Sequence, residues 1–232
     1  GWTVRALTRN PARSDLAPLG NIEWVKGDAM NQADVVAAAA GVSVVVHAAN
    51  PPGYKNWQGL ALPMLESSIA AAQSVGARLV LPGTVYNFGP DAGALVDEAA
   101  PQNPVTRKGK IRVAMEERLR AASRQGVPVL VVRAGDFFGP RCSGNSWFAQ
   151  GVVKPGRPLR SVTYPGQHEA GHAWAYLPDL ASCIAQLLER ANDLQAFDVF
   201  HFAGHSFERG VELAEATRRA ASVPQAPIRR FP

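Results

Sequence analysis

Short apolar runs alternate with longer amphipathic segments through most of this chain, and glycine or proline separates them. The most informative run is residues 42–52, Val-Ser-Val-Val-Val-His-Ala-Ala-Asn-Pro-Pro. Its β-branched start has no polar alternation, which is typical of a strand buried on both faces of a parallel sheet. It ends in small residues, an amide and two prolines, which stop the strand and leave room for a ligand near the backbone. Since ligands of open α/β sheets bind at the carboxyl ends of the strands, we expect a crevice there.

The other apolar runs predict a series of strands and helices. Strands are expected at residues 2–8, 22–26, 78–82, 127–134, 173–176 and 197–203. Helices are expected at residues 14–19, 31–40, 60–74, 106–124, 146–153, 178–191 and 208–221. This alternation predicts an α/β protein with a Rossmann-like, doubly wound parallel sheet. The pattern becomes irregular after residue 140, which indicates a small C-terminal lobe.

Composition narrows the class of protein. With 47% apolar and 19% charged residues, the chain is expected to be globular with a sizeable core. The net charge of +5 is mild and its basic residues are scattered, so nucleic acid is not an expected partner. Cys142 and Cys183 form no disulfide or metal pattern, which favours reduced thiols in the cytoplasm. We expect no membrane partner, because no apolar run approaches the ~18 residues of a membrane span.

The two ends of the sequence are unusual. A predicted strand begins directly after Gly1, which is not preceded by an initiator Met. Residues 228–232, Ile-Arg-Arg-Phe-Pro, follow the last predicted helix without a recognisable closing element. We therefore expect the chain to be cut at both ends.

Several stretches, taken in this order and at this spacing, resemble the extended short-chain dehydrogenase/reductases, or NAD-dependent epimerase/dehydratases. The stretches are 27–28 (Gly-Asp), 44–50, 80–89 with its Val-Tyr pair, 106–117, 132–140 ending in Phe-Gly-Pro, and 174–181. The resemblance implies a dinucleotide-binding core in residues 1–140 and a mainly substrate-binding lobe in 141–232, with elements returning to the core. Members normally open with a strand and a glycine-rich turn that binds pyrophosphate. Because that unit is absent here, we expect about 30 upstream residues to be missing.

The resemblance also implies a set of cofactor-binding residues. Arg9 follows the first strand, where an arginine suits the 2′-phosphate of NADP, so NAD is the less expected cofactor. Asp28 and Ala29 would line the adenine pocket. For Arg9 the alternative is an ordinary solvated arginine, and for Asp28 it is a loop residue that leads into a helix.

A second group of residues would contact the middle of the cofactor and its nicotinamide end. The backbone of Ala48, Ala49 and Asn50 is expected to face the cofactor, although a plain turn before the prolines is the alternative. Lys110 would donate to ribose hydroxyls. Its alternative is a solvated lysine in the basic start of a helix, where cations are mildly unfavourable.

The catalytic residues of the family are replaced in this sequence. The family Tyr precedes the Lys by four residues, a position that holds Thr106, and the family Ser/Thr position holds Pro82. A threonine hydroxyl is a far weaker acid than a phenol, whose pKa is about 10. Thr84, Tyr86 and Tyr54 are the nearest candidates for a replacement acid, with Lys110 as the retained member of the set.

Two further features have competing explanations. Residues 168–172, His-Glu-Ala-Gly-His, match the zinc-protease pattern, but that chemistry requires both histidines on one helix face, and the surrounding glycines and proline argue against a helix. A loop near the substrate lobe is the preferred interpretation, and no metal is expected. Asp136 follows a core strand and is either a polar substrate contact or a turn cap.

The sequence therefore predicts an NADP-dependent oxidoreductase or epimerase acting on a small carbonyl or sugar-like substrate. The alternative is a regulatory protein that senses NADP without chemistry, which the loss of both hydroxyl groups would explain. Homodimer formation is left open.

Overall fold

The computed structural model describes residues 1–12, 21–51, 56–93, 95–140, 142, 146–154, 156–164 and 166–230. The helix expected at residues 14–19 and the candidate acid Tyr54 lie outside these ranges. The chain forms two compact units. Unit 1 consists of Gly1–Val131 and Leu194–Val199, and unit 2 of Val132–Asp193 and Phe200–Pro232.

The secondary-structure elements are numbered along the chain. The strands are β1 (Val4–Thr8), β2 (Ile22–Lys26), β3 (Val44–Val46), β4 (Arg78–Thr84), β5 (Val129–Ala134), β6 (Asp136–Phe138), β7 (Val162–Tyr164), β8 (His172–Tyr176), β9 (Phe197–His201), β10 (His205–Phe207) and β11 (Ile228–Arg230). The helices are α1 (Gln32–Ala38), α2 (Trp57–Val75), α3 (Arg107–Arg124), α4 (Leu177–Glu189) and α5 (Val211–Ala220). None of the described helices combines the length and the apolar character needed to cross a membrane.

Parallel strand pairs form the framework of unit 1. β1 pairs with β2, with Val4 opposite Ile22, and β3 pairs with β4, with Val44 opposite Arg78. A four-stranded sheet has the order β3-β4-β5-β9, in which β5 and β9 begin in unit 1 and continue into unit 2. These parallel pairs, with α2 connecting β3 to β4, confirm the predicted α/β class.

The prediction that the 42–52 strand is buried on both faces is wrong for β3. Val46 is 49% exposed, and Val44 and Val45 are only half-buried. β3 is the end strand of its sheet, with β4 as its partner, so β-branched composition alone did not indicate a central position. The deeply buried strands are β4 and β5, and every residue of β5 is buried.

The core of unit 1 lies where α2 and α3 pack with these strands. Leu65 of α2, Leu119 of α3 and Val129 of β5 are all fully buried and belong to one apolar cluster. Burying an aliphatic side chain of this size contributes about 1.5–3 kcal/mol. The cluster therefore fixes the helices and strands from which the loops described below project.

Two helix starts have side-chain caps. Asn31 caps α1 through its side-chain oxygen, which accepts a hydrogen bond from the N–H of Ala33. Thr106 caps α3 in the same way, and its hydroxyl oxygen accepts from the N–H of Gly109 at 3.0 Å. These bonds satisfy backbone donors that a helix start leaves unpaired.

Two small sheets lie within the described part of unit 2. β8 lies between β6, to which it is parallel, and β10, to which it is antiparallel. β11 pairs with β7 in parallel, so the expectation that residues 228–232 lack a closing element is wrong for Ile228–Arg230. The helix expected at 146–153 is a single π-helical turn over Phe148–Val152. Strands β6, β7, β10 and β11 have three residues each, too few to give a recognisable alternation.

Candidate functional site

The predicted cofactor-binding residues of unit 1 lie at the ends of strands. Arg9 follows β1, Asp28 and Ala29 follow β2, and residues 48–50 follow β3. Arg9 and residues 48–50 are exposed, whereas Asp28 and Ala29 are half-buried. The structure thus leaves the small residues after β3 accessible, as close approach of a ligand to the backbone requires.

Arg9 is an exposed cation that makes no hydrogen bond or ion pair with any described residue. By contrast, Arg5, in β1, donates to Glu23 at 2.8 Å and to the carbonyl oxygens of Ala38 and Ala40. The guanidinium of Arg5 therefore ties β1 to β2 and α1, while that of Arg9 is available for an anion.

The turn after β2 is tightly packed. A Cβ on Gly27 would lie 2.6 Å from Cδ1 of Leu7 and 2.9 Å from Cβ of Asp34, so only glycine fits. The N–H of Asp28 donates to Asp34 at 2.9 Å, and the Asp28 carboxylate accepts from the N–H of Met30 at 2.9 Å. Asp28 therefore stabilises the turn after β2 through these hydrogen bonds. Its contact with adenine stays a prediction.

A buried histidine precedes the exposed segment after β3. His47 is 4% exposed, and its Nδ1 lies 2.8 Å from Oγ of Ser68. Because that hydroxyl donates to the carbonyl oxygen of Met64, it accepts from Nδ1–H of His47, which leaves Nε2 as an unprotonated acceptor. Nε2 is buried without a hydrogen-bond partner among the described residues. Burial, with a smaller contribution from the Arg112 charge, lowers the pKa of His47 to about 4, so the ring is neutral.

Asn50 is held by a contact that the sequence did not indicate. Its side-chain oxygen accepts a hydrogen bond from the indole N–H of Trp57 at 3.0 Å. Trp57 in turn lies under the guanidinium of Arg112, 4.8 Å from the ring centroid. The segment after β3 is therefore anchored to the first turn of α2.

The end of β4 holds two candidate catalytic residues. Thr84 is 8% exposed, and its hydroxyl oxygen accepts from the N–H of Tyr86 at 3.2 Å. The ammonium group of Lys108 lies 3.9 Å from the centroid of the Tyr86 ring. Lys110 is exposed and its ammonium group has no partner among the described residues. Of the two lysines, Lys108 is therefore engaged by Tyr86, and Lys110 is available to a ligand.

The two residues that the sequence predicts at the positions of the family Ser/Thr and Tyr have structural roles. Pro82 lies within β4, and Thr106 is the N-cap of α3. The hydroxyl oxygen of Thr106 is thus occupied by the helix start, and neither position offers a phenol.

The His-Glu-x-x-His pattern does not lie on a helix. His168 belongs to a turn, and His172 is the first residue of β8. Within the described part of the chain, no three His, Cys, Asp or Glu side chains come together as a metal site would require. The zinc-protease geometry is therefore not formed.

Comparison with known families decides the class. Residues 1–203 match the model of the NAD dependent epimerase/dehydratase family. The chain belongs to this family. It is also 26% identical over 216 residues to the uncharacterized protein y4nL of Sinorhizobium fredii, covering 87% of this chain and 58% of that protein. The chain therefore spans little more than half the length of this curated relative.

The proteins of known structure that share this fold are named for different reactions. A dTDP-glucose 4,6-dehydratase from Streptomyces venezuelae, solved with NAD, has a TM-score of 0.78 at 19% identity, over 98% of this chain and 74% of that one. A UDP-N-acetylglucosamine 4-epimerase from Bacillus cereus has 0.77 at 15% identity, over 98% and 79%. A dTDP-4-dehydrorhamnose reductase from Clostridium acetobutylicum has 0.72 at 19% identity, over 98% and 83%. These similarities confirm the predicted Rossmann-like fold, and at such low identity they do not decide the reaction.

Proposed function

We propose that the protein is a nicotinamide-dependent oxidoreductase that epimerises, dehydrates or reduces the sugar of a nucleotide-linked sugar, with NADP preferred to NAD. Membership of the epimerase/dehydratase family supports the reaction class. The observation that carries the proposal is the accessible segment of small residues after β3. Arg9 and Lys110 lie in the same unit and have no partner among the residues that the structure describes. The free thiols of Cys142 and Cys183 are consistent with the cytoplasmic location expected from the sequence.

The residues present fit parts of such a cofactor. We infer that Arg9 pairs with the 2′-phosphate, that Asp28 and Ala29 border the adenine, and that residues 48–50 lie along the middle of the cofactor. The exposure of Ala48 and Ala49 leaves their backbone open to a ligand. A bound nicotinamide would accept a hydride and return it, whereas the chain would bind and orient the cofactor and the substrate.

Within the cofactor-binding core, three residues are candidates for the chemistry. Lys110 would donate hydrogen bonds to hydroxyl groups, because its ammonium group has no partner among the described residues. Thr84 and Tyr86 are the candidate proton donors near the end of β4. The ammonium group of Lys108 lies over the Tyr86 ring, a cation–π contact that helps to hold this phenol in place beside α3.

Turnover tests this proposal. The protein expressed from its full reading frame would be incubated with NADP or NAD and, in turn, with UDP-glucose, UDP-N-acetylglucosamine and dTDP-glucose. Conversion of any of these sugars, measured by chromatography and by absorbance of the reduced cofactor, supports it. Tight cofactor binding without conversion of any sugar in a broad panel, including 4-keto sugars with NADPH, would refute the enzymatic activity.

The second candidate is a regulator that binds NADP without chemistry. The observation that favours it is the use of Thr106 as a helix cap, together with Pro82 in the position of the family hydroxyl. Binding without turnover is its expected result, so the same experiment separates the two functions.

A further inference from the structure

The ends of two neighbouring strands in unit 2 bring a histidine and an aspartate together. Asp136 is the first residue of β6 and lies opposite Trp174 of β8. Because alternate residues of a strand share a face, His172 lies on the same face as Trp174, two residues before it. Nε2 of His172 lies 2.8 Å from Oδ2 of Asp136, which is a direct hydrogen bond.

Two indole rings pack against the imidazole of His172. The indole of Trp147 stacks on it, with 5.7 Å between centroids and 22° between planes, and the Trp174 ring centroid lies 4.8 Å away. The side chains of His172 and Asp136 are still 24% and 14% exposed. Since Nε2 is turned to Asp136, Nδ1 is the ring nitrogen that remains for a ligand.

The hydrogen bond defines the state of the ring. A carboxylate accepts, so Nε2 carries the hydrogen, and in the neutral ring Nδ1 is an unprotonated acceptor. Nδ1 makes no hydrogen bond with the residues that the structure describes. When Nδ1 takes a proton, the adjacent carboxylate stabilises the imidazolium, which is the established function of such a pair in acid–base catalysis.

We propose that Asp136 and His172 form an acid–base site in unit 2, in which Nδ1 of His172 exchanges a proton with a hydroxyl group of a sugar-like ligand. The O–H bond breaks with its electron pair left on oxygen, a bond forms between Nδ1 and the proton, and the reverse transfer restores the neutral ring. His172 is the catalytic residue and Asp136 the positioning residue. The identity of the hydroxyl group rests on the proposed function.

Other titratable groups surround the pair and must be separated from it experimentally. The titratable groups on the described neighbouring elements include Tyr164 of β7, His168 in the turn before β8, Tyr176 of β8, His205 of β10 and Glu208 directly after β10. The pKa of the Tyr164 phenol is raised by burial and further by the Asp136 charge, so Tyr164 stays protonated in the neutral range. His205 is exposed and contacts the Phe138 ring, with 5.5 Å between centroids. It therefore serves as the control histidine.

Nitrogen NMR of histidine tests the geometry without any need for turnover. At a pH where the rings are neutral, the protein labelled with ¹⁵N-histidine should show His172 as one tautomer, protonated at Nε2. UDP-glucose should shift the Nδ1 resonance of His172 but not those of His205, and His172→Gln should remove the responding signal. A ring protonated at Nδ1, or an Nδ1 resonance that does not respond to UDP-glucose or dTDP-glucose, would overturn the proposal.

Kinetics of the full reading frame provide the second test. His172→Gln should lower kcat at least 100-fold and abolish the loss of activity on the acidic side of the pH profile, with the KM for the cofactor unchanged. Asp136→Asn should lower kcat to a smaller extent. His205→Gln should leave kcat and the pH profile unchanged. A kcat of His172→Gln within threefold of the wild-type value would overturn the proposal. If wild-type protein converts no sugar, the proposed function fails and the NMR result alone decides the acid–base site.

Discussion

Glu116 is the centre of a buried polar network that holds the segment after β4 against α3. The residue is 4% exposed, and its carboxylate accepts hydrogen bonds from Asn87 at 2.9 Å and from Gln102 at 3.1 Å. Asn87 also donates to the side-chain oxygen of Gln102 at 2.8 Å. Since Asn87 directly follows Tyr86, the network positions this candidate catalytic residue relative to α3.

Replacing Glu116 has a cost that follows from these contacts. A hydrogen bond to a charged group contributes about 1.5–3 kcal/mol, and Glu116→Ala removes both of these bonds at a site where Asn87 is fully buried. With partial relaxation we expect the free energy of unfolding to fall by about 3 kcal/mol, or the Tm by about 6–12 °C. Glu116→Gln keeps one acceptor oxygen but directs an amide NH₂ at the other donor, so about half of that loss is expected.

Thermal unfolding followed by circular dichroism measures these losses. Glu117→Ala is the matched control, because Glu117 is the next residue of the same helix and is exposed. We expect this control to change the free energy of unfolding by less than about 0.5 kcal/mol. Equal losses in Glu116→Ala and Glu117→Ala would refute the reasoning that the network fixes this segment.

Three further predictions follow from the structure. The pKa of His47 is about 4 in the folded protein and about 6.5 in the unfolded chain, so the unfolded chain takes up the proton first as the pH falls. The free energy of unfolding should therefore fall by about 3 kcal/mol between pH 6.5 and pH 4. Denaturant titrations measure this loss, which should be absent from His47→Gln. Gly135→Ala would place a Cβ 2.1 Å from the carbonyl oxygen of Ala173, so it should destabilise by about 1–3 kcal/mol in urea unfolding, and an unchanged midpoint would contradict this packing. Lys110→Ala should weaken NADPH binding in calorimetry by more than tenfold, about 1.4 kcal/mol, whereas Arg107→Ala, an exposed cation in the same helical turn, should not.

Local signals in the sequence were sufficient for much of the fold. The main strands of unit 1 follow from short-range preferences, and the structure has them within a few residues of the predicted bounds. Helices α1 and α3 begin next to Asn31 and Thr106, residue types that favour the start of a helix. The parallel arrangement followed from strand–helix alternation. Burial was less predictable, since β3 and β5 have similar composition and only β5 is buried throughout.

The contacts that define the candidate sites could not be read from the sequence, because they join residues far apart in the chain. His47 meets Ser68 across 21 residues, and Asp136 meets His172 across 36. The signal for His47 was a histidine at the end of an apolar strand. For His172, the zinc-protease pattern drew attention to the residue but did not indicate its hydrogen-bond partner, which is an aspartate on the adjacent strand.

The central claim is that Arg9 and the segment after β3 bind a nicotinamide cofactor with preference for the 2′-phosphate. Titration of NADPH against NADH, with the full reading frame and with Arg9→Ala, tests it most directly. We predict tighter binding of NADPH in the wild type, and loss of that preference with little change for NADH in Arg9→Ala. Tighter binding of NADH in the wild type would contradict the role of Arg9, and binding of neither cofactor would contradict the proposed function.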